Sequence, residues 1–175
     1  MKYLVIVAWL LLPLIPTVQA QEDVKAAPSC GYCGMDRGKF ASSRMVIEYD
    51  DGSKVGTCSI HCAAVDLANN LDKGPVSLLV ADLGSKQLID AEKATWVLGG
   101  KKPGVMTARA KWAFAERGAA ETFAREQGGT VVTFDEAMKA TYEDLYQDTR
   151  MIREKRKLRR QNAMEQKPMD IPAAH

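Results

Sequence analysis

Four cysteines, set as two close pairs, are the residues of this chain whose type and spacing could do chemistry. They are Cys30, Cys33, Cys58 and Cys62. The first pair has C-x-x-C spacing, which lets both sulfurs turn toward one ion on a backbone kept tight by glycines. The second pair is four residues apart, so both sulfurs lie on one side of a helix. Two such pairs folded together predict a four-thiolate site for a soft metal ion, copper(I) or zinc.

Two further donors flank the cysteines. Met35 follows Cys33 by two residues, and its thioether favours copper(I), because zinc rarely takes that ligand. His61 lies inside the second pair, where it could replace a cysteine, orient one, or simply hydrogen-bond to solvent at a helix start. The partial positive charge at a helix N-terminus is expected to lower the pKa of Cys62. The predicted metal set is therefore the four cysteines, with Met35 and His61 as tuning or alternate ligands.

Three other uses of the cysteines stay open. A closed tetrahedral zinc site would serve structure alone. Exported proteins hold cysteines in disulfides more often than in metal sites. A disulfide within C-x-x-C or across one helical turn, however, closes a short loop and adds little stability. C-x-x-C is also a redox motif; redox proteins place it between a strand and a helix, whereas here it follows a polar segment.

The elements that must position the cysteines are those of an α+β fold. Two strand patterns, 44–49 and 54–57, flank Asp51-Gly52 and predict a β-hairpin. Ser59 is expected to cap a helix that ends near Asn69-Asn70, and a strand over 76–81 follows. Cys58 and Cys62 are expected on the side of this helix that faces away from its apolar stripe, which predicts an exposed site.

The same order recurs in the second half of the chain. Strand patterns over 95–98 and 110–115 precede a helix over 119–127, a Gly128-Gly129 stop and a strand over 130–134. We therefore predict two β-β-α-β halves that share a core, with a treble-clef-like cysteine site in the N-terminal half. A helical pattern after Asp135 becomes increasingly charged toward residue 161 and predicts a charged C-terminal helix.

The first twenty residues have the pattern of a secretory signal peptide cleaved before Gln21, which predicts a periplasmic or otherwise extracytoplasmic protein. An uncleaved segment, or the basic helix lying on anionic lipid, would give membrane association. The expected organisation is a signal peptide (1–20), a polar leader (21–29), a metal-binding domain (30–138), a charged helix (139–161) and a disordered tail (162–175).

Composition argues against two classes of function. A net charge of +2 gives the whole chain no electrostatic case for binding nucleic acid. The only histidines are His61 and His175, and no Ser/His/Asp or Cys/His arrangement suggests nucleophilic catalysis, so we do not expect an enzyme.

Three stretches carry a family resemblance: Cys30-Gly-Tyr-Cys-Gly-Met35, Glu48-Tyr-Asp-Asp-Gly52 and Cys58-Ser-Ile-His-Cys62. They resemble the treble-clef-like modules of the YHS and heavy-metal-sensing type. Further features of residues 30–138 are Trp96, Met106, the alternating 110–115 segment, Gly128-Gly129 and residues 134–136. Over this range the chain resembles the NosL family, the copper-binding accessory proteins of nitrous oxide reductase maturation. The resemblance implies an extracytoplasmic copper(I) chaperone that hands metal to a reductase apoprotein or its assembly machinery. Familiar members are lipoproteins, whereas no cysteine follows the predicted cleavage site closely enough to carry a lipid.

Overall fold

The first half of the chain forms a short helix followed by a four-stranded antiparallel sheet. The computed structural model describes residues 21–165, so the predicted signal peptide lies outside the described residues. The elements are α1 (Glu22–Ala26), β1 (Met45–Tyr49), β2 (Lys54–Thr57), α2 (Ile60–Asn69), β3 (Pro75–Ala81) and β4 (Leu88–Asp90). The strand order is β2-β1-β3-β4. The predicted hairpin is confirmed; Gly52 at its tip has φ +81°, which glycine adopts without steric cost.

The second half forms a three-stranded antiparallel sheet in the order β6-β5-β7. Its elements are β5 (Thr95–Leu98), β6 (Lys111–Phe114), α3 (Arg117–Gln127), β7 (Thr130–Val132) and α4 (Phe134–Glu165). The predicted β-β-α-β order is thus present in both halves, and β4 is an addition to the first. Two Gly-Gly pairs meet where β5 ends and β7 begins: a Cβ on Gly100 would lie 2.6 Å from the carbonyl oxygen of Gly128.

One apolar core joins the two halves, as predicted. It contains Met45, Ile47 and Tyr49 of β1, Trp96 of β5 and Ala113 of β6, and it continues into α2 and the start of α4. A second cluster on the other face of β5 and β6 holds Val97, Trp112 and Phe114 against Ala120 of α3. Burial on both faces explains why these strands are almost continuously apolar.

The last helix begins at Phe134, so β7 ends before the predicted residue 134. The cause is a capping box: the backbone N–H of Thr133 donates to Glu136 Oε2 (2.8 Å), and the N–H of Glu136 donates to Thr133 Oγ1 (3.3 Å). Ser59, by contrast, occupies the N-cap position of α2 without a side-chain capping hydrogen bond. The expectation that its hydroxyl caps the helix is wrong.

Helix α4 runs unbroken for 32 residues, across the predicted domain boundary at residue 138. Residues 162–165 are helical, so the tail predicted to be disordered does not begin at residue 162; residues 166–175 lie outside the described residues. Among the helices of residues 21–165, none is long and apolar enough to cross a membrane.

The polar leader is not irregular throughout, because α1 supplies a buried ion network. Asp23 accepts hydrogen bonds from Arg37 Nη2 (2.8 Å), Arg44 Nε (2.8 Å) and Arg44 Nη2 (3.0 Å). Both guanidinium groups are fully buried. A Cβ added at Gly56 of β2 would lie 2.7 Å from the guanidinium group of Arg37. Glycine at position 56 therefore makes room for the charge that α1 neutralises.

Candidate metal centre

The first cysteine pair lies on a tight knuckle between α1 and β1. Ser29 and Asp36 pair as an isolated β-bridge, and the backbone N–H of Cys30 donates to the carbonyl of Met35 (2.8 Å). Gly34 has φ +73°, which turns the chain back on itself. The N–H of Gly34 also donates to the carbonyl of Cys30 (2.9 Å), so the loop is closed from within.

The second pair stands where β2 passes into α2. Cys58 lies between the two elements, and Ser43 Oγ donates to its carbonyl (2.8 Å); Cys62 lies in the first turn of the helix. The Sγ atoms of Cys33 and Cys58 are 3.4 Å apart, and those of Cys58 and Cys62 are 3.8 Å apart. Hairpin β1–β2 is therefore the spacer that folds one pair onto the other.

All four sulfurs lie within 4.8 Å of one another, and all four cysteines are free thiols. Around a tetrahedral ion with metal–sulfur bonds of about 2.3 Å, neighbouring sulfurs lie roughly 3.8 Å apart. A disulfide would instead bring two sulfurs to about 2.0 Å. The arrangement thus has the dimensions of a metal site and not of two bridges.

The cluster is more enclosed than the sequence predicts. Cys30, Cys58 and Cys62 are buried, and Cys33 alone of the four is half-buried. The sulfurs do face away from the main core, but they form their own apolar cluster with Met35, Phe40, Val105 and Met106. The expectation of an exposed site is wrong, because a loop of the second half covers the side of α2 that the sequence assigns to solvent.

Protons are shared unequally among the four sulfurs. Hydrogen bonds from the other three thiols hold the pKa of Cys30 far below its usual range. For Cys33, the hydrogen bond with Cys30 raises the pKa, those with Cys58 and Cys62 lower it, and the result is a pKa of about 7. Hydrogen bonding to Cys30 and Cys33 raises the pKa of both Cys58 and Cys62. The expected lowering at Cys62 is wrong, because hydrogen bonding to the other three thiols, together with burial, raises its pKa.

Two methionines pack against the cysteine cluster from different parts of the chain. Met35 belongs to the knuckle, and Met106 belongs to the loop between β5 and β6. Met106 has φ +62°, a left-handed conformation that few residues other than glycine adopt. The fold therefore places two thioethers beside the four thiols, one of them on a backbone that is costly to form.

His61 is buried beside the cluster, but its imidazole is not among the donors that converge. Its Nδ1 lies 3.7 Å from Asp148 Oδ2, and neither atom has a hydrogen-bond partner. Burial lowers the pKa of His61, although the charge of Asp148 opposes the shift. The imidazole is thus neutral at neutral pH, and a ligand role for His61 stays a prediction.

Three residues that the sequence did not single out hold the knuckle against α2. Tyr32, inside the knuckle, donates from its hydroxyl to Asp66 Oδ1 (2.6 Å), and Tyr49 of β1 donates to the other carboxylate oxygen. Asp66 stands one turn after Cys62 and is buried. Asp66 is the one acidic residue of α2 and stands four positions after Cys62, and this was the available signal.

The fold and the site define a class: small mixed helix-and-sheet proteins with four cysteines converging on one point. No curated protein sequence matches the chain. The NosL family model matches residues 21–142, and the chain belongs to the NosL family. The fold is similar to the crystal structure of the copper chaperone NosL from Shewanella denitrificans, with 21% identity and a TM-score of 0.53 over 69% of this chain and 96% of that one. The family match begins at residue 21, so it includes α1, which the resemblance from residue 30 left out.

Proposed function

We propose that this chain is a copper(I) chaperone whose four cysteines bind the ion and release it to a partner protein. The observation that carries the proposal is the convergence of four thiols with one of them, Cys33, half-buried at the edge. Membership of the NosL family supports it, as does the fold shared with a protein described as a copper chaperone.

Copper(I) suits the donors that surround the cluster. It is a soft ion that prefers thiolates and thioethers, and Met35 and Met106 both pack against the sulfurs. Copper(I) is also satisfied by two or three ligands, so four thiols allow it to shift between neighbours. Cys33 is the sulfur that a partner reaches first, and exchange of its bond for a partner's ligand begins the transfer. Uptake of the ion displaces thiol protons from the buried cysteines.

The family resemblance and the N-terminal pattern support a proposal for the partner and the compartment. We propose that the recipient is a reductase apoprotein or a factor that assembles one, outside the cytoplasm. Export by the predicted signal peptide would supply the compartment. Binding and release of cargo, without a reaction of its own, is the proposed activity.

A structural zinc site is the second candidate, and the enclosure of the cluster favours it. Three of the four cysteines are buried, and sulfur separations of 3.4 and 3.8 Å suit a tetrahedral ion. In that case the metal would stabilise the knuckle against α2 and would not be exchanged.

The two candidates differ in what Met35 contributes. In Met35→Leu, which nearly preserves volume, we expect copper(I) affinity to fall by about tenfold and zinc affinity to stay the same, because zinc does not use the thioether. The measurement is anaerobic titration of the mature chain with each ion against a competing chelator.

Met138→Leu is the matched control, since Met138 packs against the main core and away from the cysteines. Equal copper(I) affinity in Met35→Leu and wild type would show that Met35 is not a ligand. A zinc ion that copper(I) cannot displace from the wild type would establish the structural site instead.

A further inference from the structure

The end of α4 places a strongly basic segment beside the cysteine centre. We call residues 150–165 the basic arm. Its cationic residues are Arg150, Arg153, Lys155, Arg156, Lys157, Arg159 and Arg160. Only Glu154 and Glu165 oppose them, and since the whole chain carries just +2, the remainder is net negative. The family match ends at residue 142, so the arm lies beyond the region on which the family assignment rests.

A cavity of about 740 Å³ is lined by residues of both the arm and the knuckle. Its wall includes Cys33, Met35 and Met106, so it opens onto the proposed metal site. The basic residues that line it are Lys39, Lys155, Arg156, Arg159 and Arg160, against one acidic residue, Asp36. The four from the arm recur at the spacing of one helix face, which is the face turned toward the cysteines.

One of these arginines touches the centre directly. Arg156 Nη2 donates to the carbonyl of Cys33 (3.0 Å), and Arg156 also lines a smaller cavity that contains Cys33 and Cys62. Within residues 21–165, none of the four arm residues that line the large cavity has a carboxylate within 4.0 Å. No carboxylate of residues 21–165 therefore pairs with their positive charge next to the half-buried thiol.

We propose that this cavity is the docking site for an acidic segment of the protein that exchanges metal with this chain. The proposal rests on the proposed chaperone function and names the chemistry of its partner. Carboxylates on the partner would pair with Lys155 and with the planar guanidinium groups, which match a carboxylate in geometry. Docking there would bring the partner's metal ligands next to Cys33, and the charge would speed encounter at low ionic strength.

The shape of the arm favours a protein segment over a lipid surface. Helices that lie on membranes carry large apolar residues along one face. The exposed large apolar residues of the arm are Leu158 and Met164, which are about 120° apart around the helix. The basic residues line a concave cavity, which an acidic segment can enter and a flat bilayer cannot.

Neutralising two residues of the cavity tests the proposal. The probe is a labelled synthetic peptide with a run of glutamates followed by a Met-x-Met sequence, compared with the same peptide carrying glutamines. We expect the metal-free, full mature chain to bind the glutamate peptide, and Lys155→Gln with Arg159→Gln to weaken binding roughly fivefold, as expected for two partly exposed ion pairs. Fluorescence anisotropy under anaerobic conditions gives the affinities.

Arg150→Gln with Lys157→Gln is the matched control, because it removes the same charge from the arm without touching the cavity. We expect it to change binding less than twofold. Equal losses of peptide affinity in the two double variants would overturn the proposal. Failure of the wild type to bind the glutamate peptide would also overturn it, whether or not the chain binds phosphatidylglycerol vesicles. Copper(I) affinity, measured separately by chelator competition, tests the chaperone function. The two experiments therefore distinguish failure of the docking proposal from failure of the chaperone proposal.

Discussion

Tyr32 shows how single side chains set the geometry of the cysteine centre. It stands between the two cysteines of the knuckle, and its hydroxyl reaches across to Asp66 on α2, the helix that carries Cys62. Asp66 is held in turn by Tyr49, and Asn70 Nδ2 donates to its backbone carbonyl (2.8 Å). The distance between the two cysteine pairs is therefore fixed by a hydrogen-bonded carboxylate and not by the sulfurs alone.

Removing the Tyr32 hydroxyl should loosen this link. We expect Tyr32→Phe to lower the free energy of unfolding of the metal-free protein by about 1 kcal/mol, because the hydrogen bond to the Asp66 carboxyl group is lost at a partly exposed position. We also expect the chelator to remove copper(I) faster. Urea unfolding and the rate of metal removal are the measurements. Tyr146→Phe, at an exposed site on α4, is the control; the same values for both variants would contradict a positioning role.

At this scale the sequence predicted which residues meet but not their surroundings. Spacing alone identified two pairs that converge, since C-x-x-C and i, i+4 patterns are local. Burial of Cys58 and Cys62 depends on Met106 and its neighbours, more than forty positions away in the chain. The lowered pKa of Cys30 depends on three other thiols, two of which, Cys58 and Cys62, lie far along the chain, so no local rule could give it.

Helix α1 shows that a short element can have a large electrostatic role. It is five residues long and has no buried residue, yet Asp23 neutralises Arg37 and Arg44 beneath it. Sequence periodicity cannot detect a helix of little more than one turn, and the same holds for the three-residue strand β4. The hairpin, α2, β5 and β6 have patterns long enough to be predicted. Strand β7 is as short as β4, but the Gly128-Gly129 stop before it marked its start.

Acid should weaken the Asp23 network. Burial raises the pKa of Asp23, but hydrogen bonds and charges from Arg44 and Arg37 outweigh it and lower the pKa below 3.8. The contribution is therefore complete above about pH 3.8 and is lost as pH falls through the folded-state pKa. We expect Asp23→Asn to cost about 3 kcal/mol at pH 7, because two buried guanidinium groups lose their counter-charge.

Urea unfolding from pH 7 downward checks this expectation, and the gap between wild type and Asp23→Asn should narrow in acid. Glu22→Gln is the matched control, because Glu22 is next to Asp23 in the chain, its side chain is 72% exposed, and it pairs with Lys25 on the surface. A gap that stays constant as pH falls would show that Asp23 does not act through its charge.

Over the whole molecule, α4 is the element that joins the two halves to the cysteine centre. Phe134 and Ala137 enter the shared core, and Tyr142 donates to the carbonyl of Ala64 on α2 (3.2 Å). Further along, Asp148 accepts from the N–H of Ala108 (3.0 Å), and Arg156 reaches Cys33. The sequence predicted this helix from its charge and period. Its path could not be predicted, because each of these contacts joins it to a distant part of the chain.

Asp144 anchors α4 to the second sheet along this path. It accepts from Arg109 Nε (2.9 Å) and Nη2 (2.9 Å) and from Lys111 Nζ (2.6 Å), whose side chain is fully buried. The hydrogen bonds and charges of Arg109 and Lys111 overcome the effect of burial and lower the pKa of Asp144. The carboxylate is therefore ionised at neutral pH and fixes α4 to the start of β6.

Removing this charge should release α4 from the second sheet. We expect Asp144→Asn to cost about 3 kcal/mol of unfolding free energy, because the buried ammonium of Lys111 then lacks a counter-charge. Amide exchange should also speed up in the helix beyond Asp144, including the basic arm, while the shared core stays protected. Glu143→Gln is the matched control, since Glu143 is 55% exposed and lies 3.4 Å from the same Arg109. If the amide exchange rates along α4 are the same in Asp144→Asn and Glu143→Gln, the arm is held at Cys33 by its own contacts. Asp144 then stabilises only the sheet.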